Sequence, residues 1–109
     1  MDMQVKQEGR CLEIFLKGEM DHHGAKGLIG RLDSEIALAL PLRLILDMEG
    51  ISFMDSSGIA VVMRARQRMQ EMGGHVKLCR VPLQALRVLD AAGISRMVEI
   101  DERRRTYEK

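Results

Sequence analysis

Apolar and polar residues alternate over the first part of the chain. The alternation runs over residues 3–8 and again over 11–17, and Gly9-Arg10 separates the two runs. Strict alternation predicts β-strands that are buried on one face, and a short polar break between two of them predicts a hairpin. Leu12, Ile14 and Leu16 form the apolar side of the second strand, so we expect them to face the core.

A helical period follows the hairpin. Apolar residues recur at intervals of three and four between residues 22 and 39, and Asp21 precedes them as a candidate N-cap. The spacing predicts a helix over 22–39. Gly24, Gly27 and Gly30 each cost about 0.5–1 kcal/mol relative to Ala. Either the first turns are soft, or this helix packs unusually close to a neighbour.

The remaining chain alternates strands with helices. Apolar runs predict strands over 43–48, 51–54, 75–79 and 97–100, with a turn or bulge at Glu49-Gly50. Helical spacing predicts helices over about 59–72 and 82–92, each ending at glycine. The order is therefore β-β-α-β-α-β-α-β. Strand–helix–strand crossovers require parallel neighbours, so we predict an α/β fold with a mixed sheet, an antiparallel edge and helices packed on it.

Length and composition limit the class of protein. The chain has 109 residues, of which 46% are hydrophobic, which predicts a single domain over 1–109 with its core at about 3–102. The charged tail, 101–109, has little to bury and predicts a frayed or short helix. No apolar run approaches the ~18 residues of a membrane span and the N-terminus lacks a signal-peptide pattern, so we expect a cytoplasmic protein without membrane contact. Cys11 and Cys79 form no metal-binding pair, and we expect reduced, buried thiols.

The charges are distributed unevenly along the chain. Residues 1–57 have a net charge of −4 and residues 58–109 a net charge of +5. This asymmetry could steer a charged partner, or the charges could intermix on the folded surface. Arg64 and Arg68 share one helix face, and we expect a solvated face there. A dense basic stripe and aromatic stacking residues are lacking, so nucleic-acid binding is not expected.

The candidate site is the segment Asp55-Ser56-Ser57-Gly58. It lies where a predicted strand ends and a helix begins, which is where ligands and partners meet α/β sheets and where a phosphate is favoured. Asp and Ser are also ordinary N-cap residues, so capping alone remains an alternative. The segment matches neither the G-x-S-x-G elbow of a catalytic serine nor a phosphate-binding loop. His22 and His23 diverge by about 100° on a helix, which argues against a metal site.

Two segments together carry a resemblance to a known family: Gly18 to His23 and Ser52 to Gly58, with Gly73-Gly74 and the residues 90–94 behind them. They resemble the STAS domain of bacterial anti-sigma factor antagonists, and among these the antagonists of the sporulation sigma-F system. The resemblance covers about residues 3–102. It implies a STAS-like mixed sheet of four or five strands with helices packed on it.

The resemblance also implies a function. Such a protein is a switch in transcription regulation and not an enzyme, and it needs no cofactor. Its unphosphorylated form binds an anti-sigma factor that is also a serine kinase, which frees the sigma factor. The kinase would phosphorylate Ser56, and a serine phosphatase would reverse this. Partner contacts would involve Asp21, His22, His23, Asp55, Ser56, Ser57 and Gly58. We expect a monomer when the protein is free.

A second hypothesis comes from a different class of protein. Asp55 or Ser56 could be the catalytic or phosphoacceptor centre of an enzyme or receiver supplied by a small phosphodonor. An aspartyl receiver needs several acids around a Mg²⁺ ion. Only Asp47 and Glu49 lie near Asp55 in the sequence, and Asp47 lies within an apolar strand.

Overall fold

The computed structural model describes residues 1–101 and shows one five-stranded mixed sheet with three α-helices. The strands lie side by side in chain order, with β1 antiparallel to β2 and the other neighbours parallel. The elements are β1 (Asp2–Glu8), β2 (Cys11–Met20), α1 (His22–Ala39), β3 (Arg43–Met54), α2 (Ser57–Glu71), β4 (His75–Cys79), α3 (Leu83–Ala91) and β5 (Glu99–Ile100). The predicted α/β fold with a mixed sheet is confirmed.

Two predicted boundaries differ from the structure. β3 is one continuous strand, and the break predicted at Glu49-Gly50 is a shift in its register against β2, between Phe15 and Lys17. The last strand is shorter than predicted, because a single 3-10 turn, Ile94–Arg96, precedes it. The tail predicted as a frayed or short helix, 101–109, lies outside the described residues from position 102 onward.

The core lies between the helices and one face of the sheet. Parallel strands in chain order require crossovers in one direction, and right-handed crossovers place all three helices on the same face. Leu12, Ile14 and Leu16 are fully buried there, as predicted. The prediction of buried thiols is wrong, because Cys11 and Cys79 are free but only half-buried. Both alternate with core residues along their strands and therefore point to the other face.

The glycines of α1 have separate roles. A Cβ on Gly24 would collide with the carbonyl oxygen of Glu19, so the first turn of α1 packs closely on the end of β2. Gly27 and Gly30 have nothing within 4 Å of a Cβ position. Of the two explanations left open by the sequence, close packing therefore applies to Gly24 alone.

Charges from the two halves of the chain intermix. Asp33 of α1 binds Arg64 of α2, with an Nη2–Oδ2 distance of 2.9 Å. Arg68, also on α2, has its Nε 3.7 Å from Asp33 Oδ1. These arginines remain partly solvent-exposed, and in addition they connect α1 to α2 through Asp33. Within the described residues, no helix is long and apolar enough to cross a membrane.

Candidate functional site

The ends of β2 and β3 bring the two candidate segments together. Met20 and Met54 are paired in the ladder and both are fully buried. The Asp55 N–H donates to the Met20 carbonyl oxygen at 3.3 Å. The segment that begins at Asp21 and the segment that begins at Asp55 therefore leave the sheet side by side.

Gly58 lies directly over this methionine pair. A Cβ on Gly58 would be 2.5 Å from Met54 Cγ and 3.0 Å from Met20 Sδ. Real Cβ atoms essentially never come as close to another atom as 2.5 Å, and 3.0 Å is already tighter than most Cβ contacts. Because Gly58 has no side chain, the start of α2 can pack directly on the ends of β2 and β3.

Asp21 is the N-cap of α1, as predicted. Its backbone is extended, and its Oδ1 accepts a hydrogen bond from the Gly24 N–H at 2.9 Å. This bond lowers the pKa of Asp21 below its ordinary value, because it stabilises the carboxylate. His22 and His23 occupy the exposed first turn.

The start of α2 is capped by Asp55 and not by a serine. Asp55 Oδ1 accepts from the Ser57 N–H at 2.8 Å, and its carbonyl oxygen accepts from the Gly58 N–H at 3.0 Å. Ser56 has helical backbone angles, and its side chain makes no capping hydrogen bond. In this segment Asp55 therefore supplies the cap, whereas the exposed side chain of Ser56 does not.

The two serines differ in what surrounds them. Ser56 is exposed, whereas Ser57 is half-buried. Ser57 lines a shallow apolar groove between α1 and α2, whose other lining residues are His22, Ala25, Lys26, Ile29 and Ala60. The structure thus joins His22 to the serine segment, while His23 is not part of this groove.

The acids that a receiver would need are not gathered at Asp55. Among the described residues, the group of side chains close enough to share a metal ion is Glu13, Asp47 and Cys79, which includes neither Asp55 nor the two histidines. Asp47 is buried and bound by Arg80, with an Nη2–Oδ2 distance of 2.6 Å. Burial and the negative charge of Asp47 raise the pKa of Cys79 to about 11.

Sequence reasoning missed one contact at the site. The side-chain amide of Gln84, on α3, makes two hydrogen bonds to the backbone of Met54. Two large apolar side chains, Phe53 and Leu83, precede these residues and are exposed. A glutamine on a helix surface has no distinctive pattern, so nothing in the sequence indicated this contact.

Residues 2–107 match the STAS domain family. The chain belongs to this family. A curated relative is the anti-sigma F factor antagonist of Paenibacillus polymyxa, which is 28% identical over 92% of this chain and 87% of its own length.

Two solved structures show the same fold. The unphosphorylated form of the anti-sigma factor antagonist SpoIIAA has a TM-score of 0.78, with 22% identity over 96% of this chain and 92% of its own. The phosphorylated form of SpoIIAA, a Bacillus cell fate determinant, has a TM-score of 0.70, with 22% identity over 96% of both chains. The STAS fold predicted from the sequence is confirmed.

Proposed function

We propose that this STAS domain protein is an anti-sigma factor antagonist that is switched by phosphorylation of Ser56. Its unphosphorylated form binds an anti-sigma factor with serine kinase activity, and the sigma factor is thereby released. The kinase transfers the γ-phosphoryl group of ATP to Ser56, and a serine phosphatase removes it. The protein contributes no catalytic group of its own.

The observation that carries this proposal is the exposed hydroxyl of Ser56 at the start of α2. Asp55 already caps the helix, so the Ser56 hydroxyl is not occupied by that role. A kinase needs an accessible hydroxyl, and Ser57 is half-buried in the groove instead. Accessibility therefore favours Ser56 as the acceptor.

The partner surface is built around that hydroxyl. We assign Asp21, His22 and His23 to the same surface, because the Met20–Met54 pair brings the segment that begins at Asp21 and the segment that begins at Asp55 to the same end of the sheet. Gly58 permits close packing of α2 on this pair. The apolar floor of the groove, including Ile29 and Ala60, offers surface that a partner can desolvate.

Phosphorylation acts on binding more than on the fold. A phosphoserine carries about −1.5 to −2 charges at neutral pH, and a helix N-terminus stabilises negative charge. The fold therefore tolerates the group. At the interface the same dianion must lose water next to the carboxylates of Asp55 and Asp21, which costs several kcal/mol unless it is paired.

The test uses an anti-sigma kinase from the same genome and compares three proteins. Wild type and Ser95→Asp, a matched control at an exposed serine in the 3-10 turn, should bind the kinase equally. Ser56→Asp should bind at least about tenfold more weakly, which corresponds to about 1.4 kcal/mol. Equal binding by all three would reject the proposal.

Phosphopeptide mapping after incubation with kinase and ATP identifies the acceptor. We expect the label on Ser56, and label on Ser57 alone would contradict the assignment. Acetyl phosphate with Mg²⁺ but no kinase tests the receiver hypothesis. A hydroxylamine-sensitive label on Asp55 would support that hypothesis instead.

A further inference from the structure

The end of β3 that leads to Ser56 has a strand neighbour on one side only. On the β2 side, β3 remains paired as far as Met54, opposite Met20. On the β4 side the ladder stops at Asp47, opposite Cys79. The last seven residues of β3 therefore extend beyond β4 at the edge of the sheet where the candidate site lies.

Gln84 replaces the missing strand at Met54. The Met54 N–H donates to Gln84 Oε1 at 2.8 Å, and Gln84 Nε2 donates to the Met54 carbonyl oxygen at 2.8 Å. A side-chain amide carries the same donor and acceptor as a peptide group, so this pair reproduces what an adjacent strand would supply. Both bonds are close to the ideal length.

Gln84 is itself held in place. It lies in the first turn of α3, whose next two residues, Ala85 and Leu86, are buried in the core. The turn before α3 is fixed by Arg80, which donates to the buried carboxylate of Asp47 at 2.7 Å. The amide is therefore presented from a rigid support on the edge of the sheet.

Met54 is two residues before Ser56. Because its backbone is bonded to Gln84 while its side chain is packed under Gly58, it has little freedom in the folded protein. We propose that Gln84 is a positioning residue for the phosphoacceptor loop: through Met54 it holds Asp55 and Ser56 in the geometry that the kinase and the phosphatase act on. This inference rests on the proposed function of Ser56.

The positioning can be measured on the protein alone. Gln84→Leu keeps the size and helix propensity of the side chain but removes both hydrogen bonds. The matched control is Gln70→Leu, which makes the same change at an exposed position near the end of α2. We expect amide hydrogen exchange at residues 55–59 to rise about fivefold or more in Gln84→Leu, and to stay at the wild-type rate in Gln70→Leu.

A second variant keeps the proposal testable if Gln84→Leu does not fold. Gln84→Glu places a carboxylate oxygen where Nε2 donates to the Met54 carbonyl oxygen, so two acceptors face each other and exchange should rise above the wild-type rate. If Gln84→Leu does not fold, Gln84→Glu against Gln70→Leu decides the question. Wild-type exchange at residues 55–59 in every folded Gln84 variant would overturn the proposal.

Phosphorylation kinetics then test whether the positioning by Gln84 affects the reaction at Ser56. For Gln84→Leu we expect kcat of phosphorylation to fall about fivefold while KM stays within about twofold, because the loop still binds but is less often in the reactive geometry. Unchanged kcat with faster exchange would overturn the link from Gln84 to the reaction. If the kinase fails to modify even the wild type, the proposed function fails, and the exchange experiment still decides the positioning.

Discussion

Gly58 offers a direct test of how the site is assembled. In Gly58→Ala, the new Cβ would lie 2.5 Å from Met54 Cγ, 2.8 Å from Met54 Sδ and 3.0 Å from Met20 Sδ. Both methionines are fully buried, so they can yield only by disturbing their neighbours. Overpacking of a core costs about 1–3 kcal/mol, whereas Ala gains at most about 1 kcal/mol over Gly in a helix. With the full helix gain subtracted, we expect a net loss of up to about 2 kcal/mol.

The matched control is Gly27→Ala, where no atom lies within 4 Å of the added Cβ. That variant should gain about 0.5–1 kcal/mol, because Ala restricts the unfolded chain and favours the helix. Urea denaturation followed by circular dichroism gives both free energies of unfolding. For a domain of this size, each kcal/mol corresponds to a Tm shift of about 4–8 °C. A Gly58→Ala protein as stable as Gly27→Ala would refute the close packing of α2 on the methionine pair.

Four further results are expected. Ser56→Ala should unfold at the wild-type urea concentration, because the Ser56 hydroxyl makes no capping hydrogen bond. The variant should bind the kinase but resist phosphorylation. A clear loss of stability would show that the hydroxyl has a structural partner. Phosphorylated protein should melt within a few degrees of the unmodified form but bind the kinase at least about tenfold more weakly by calorimetry; a large change in circular dichroism would contradict a charge mechanism. Arg80→Met should lose about 2–3 kcal/mol in urea denaturation, because the buried Asp47 carboxylate loses its cation but keeps the hydrogen bond from the Glu49 N–H. Arg87→Met, at an exposed position, should lose almost nothing. In a Cys11→Ser background, the raised pKa of Cys79 should keep its thiol protonated at pH 8. Cys79 should then react with iodoacetamide about a hundredfold more slowly than a free cysteine of pKa about 8.5, and the rate should rise up to about pH 11. Fast labelling at pH 8 would show that the thiolate is accessible.

Local features of the sequence were sufficient to predict the element order. The helix over 22–39 was predicted with its observed bounds, because Asp21 and the three- and four-residue spacing act within a few turns of chain. The strand over 75–79 was equally clear from its alternation. Parallel pairing followed from the crossovers, since helical connections between strands permit little else. The resemblance to the STAS family suggested the role that we propose for Ser56, which no pattern of hydrophobic residues could suggest.

Only the tertiary structure decided how the site is held. That Met20 lies beside Met54 depends on the register of β2 against β3, which includes two irregularities and cannot be read from either strand alone. The same is true of the Gln84 amide on Met54, 30 residues away in the chain, and of the arginines that bind Asp33. The prediction that Cys11 and Cys79 are buried failed because the helices cover one face of the sheet and both thiols lie on the other, which no local pattern reveals. Periodicity is a property of neighbouring residues, whereas these contacts are created when distant segments pack together, and the sequence by itself determined the former and not the latter.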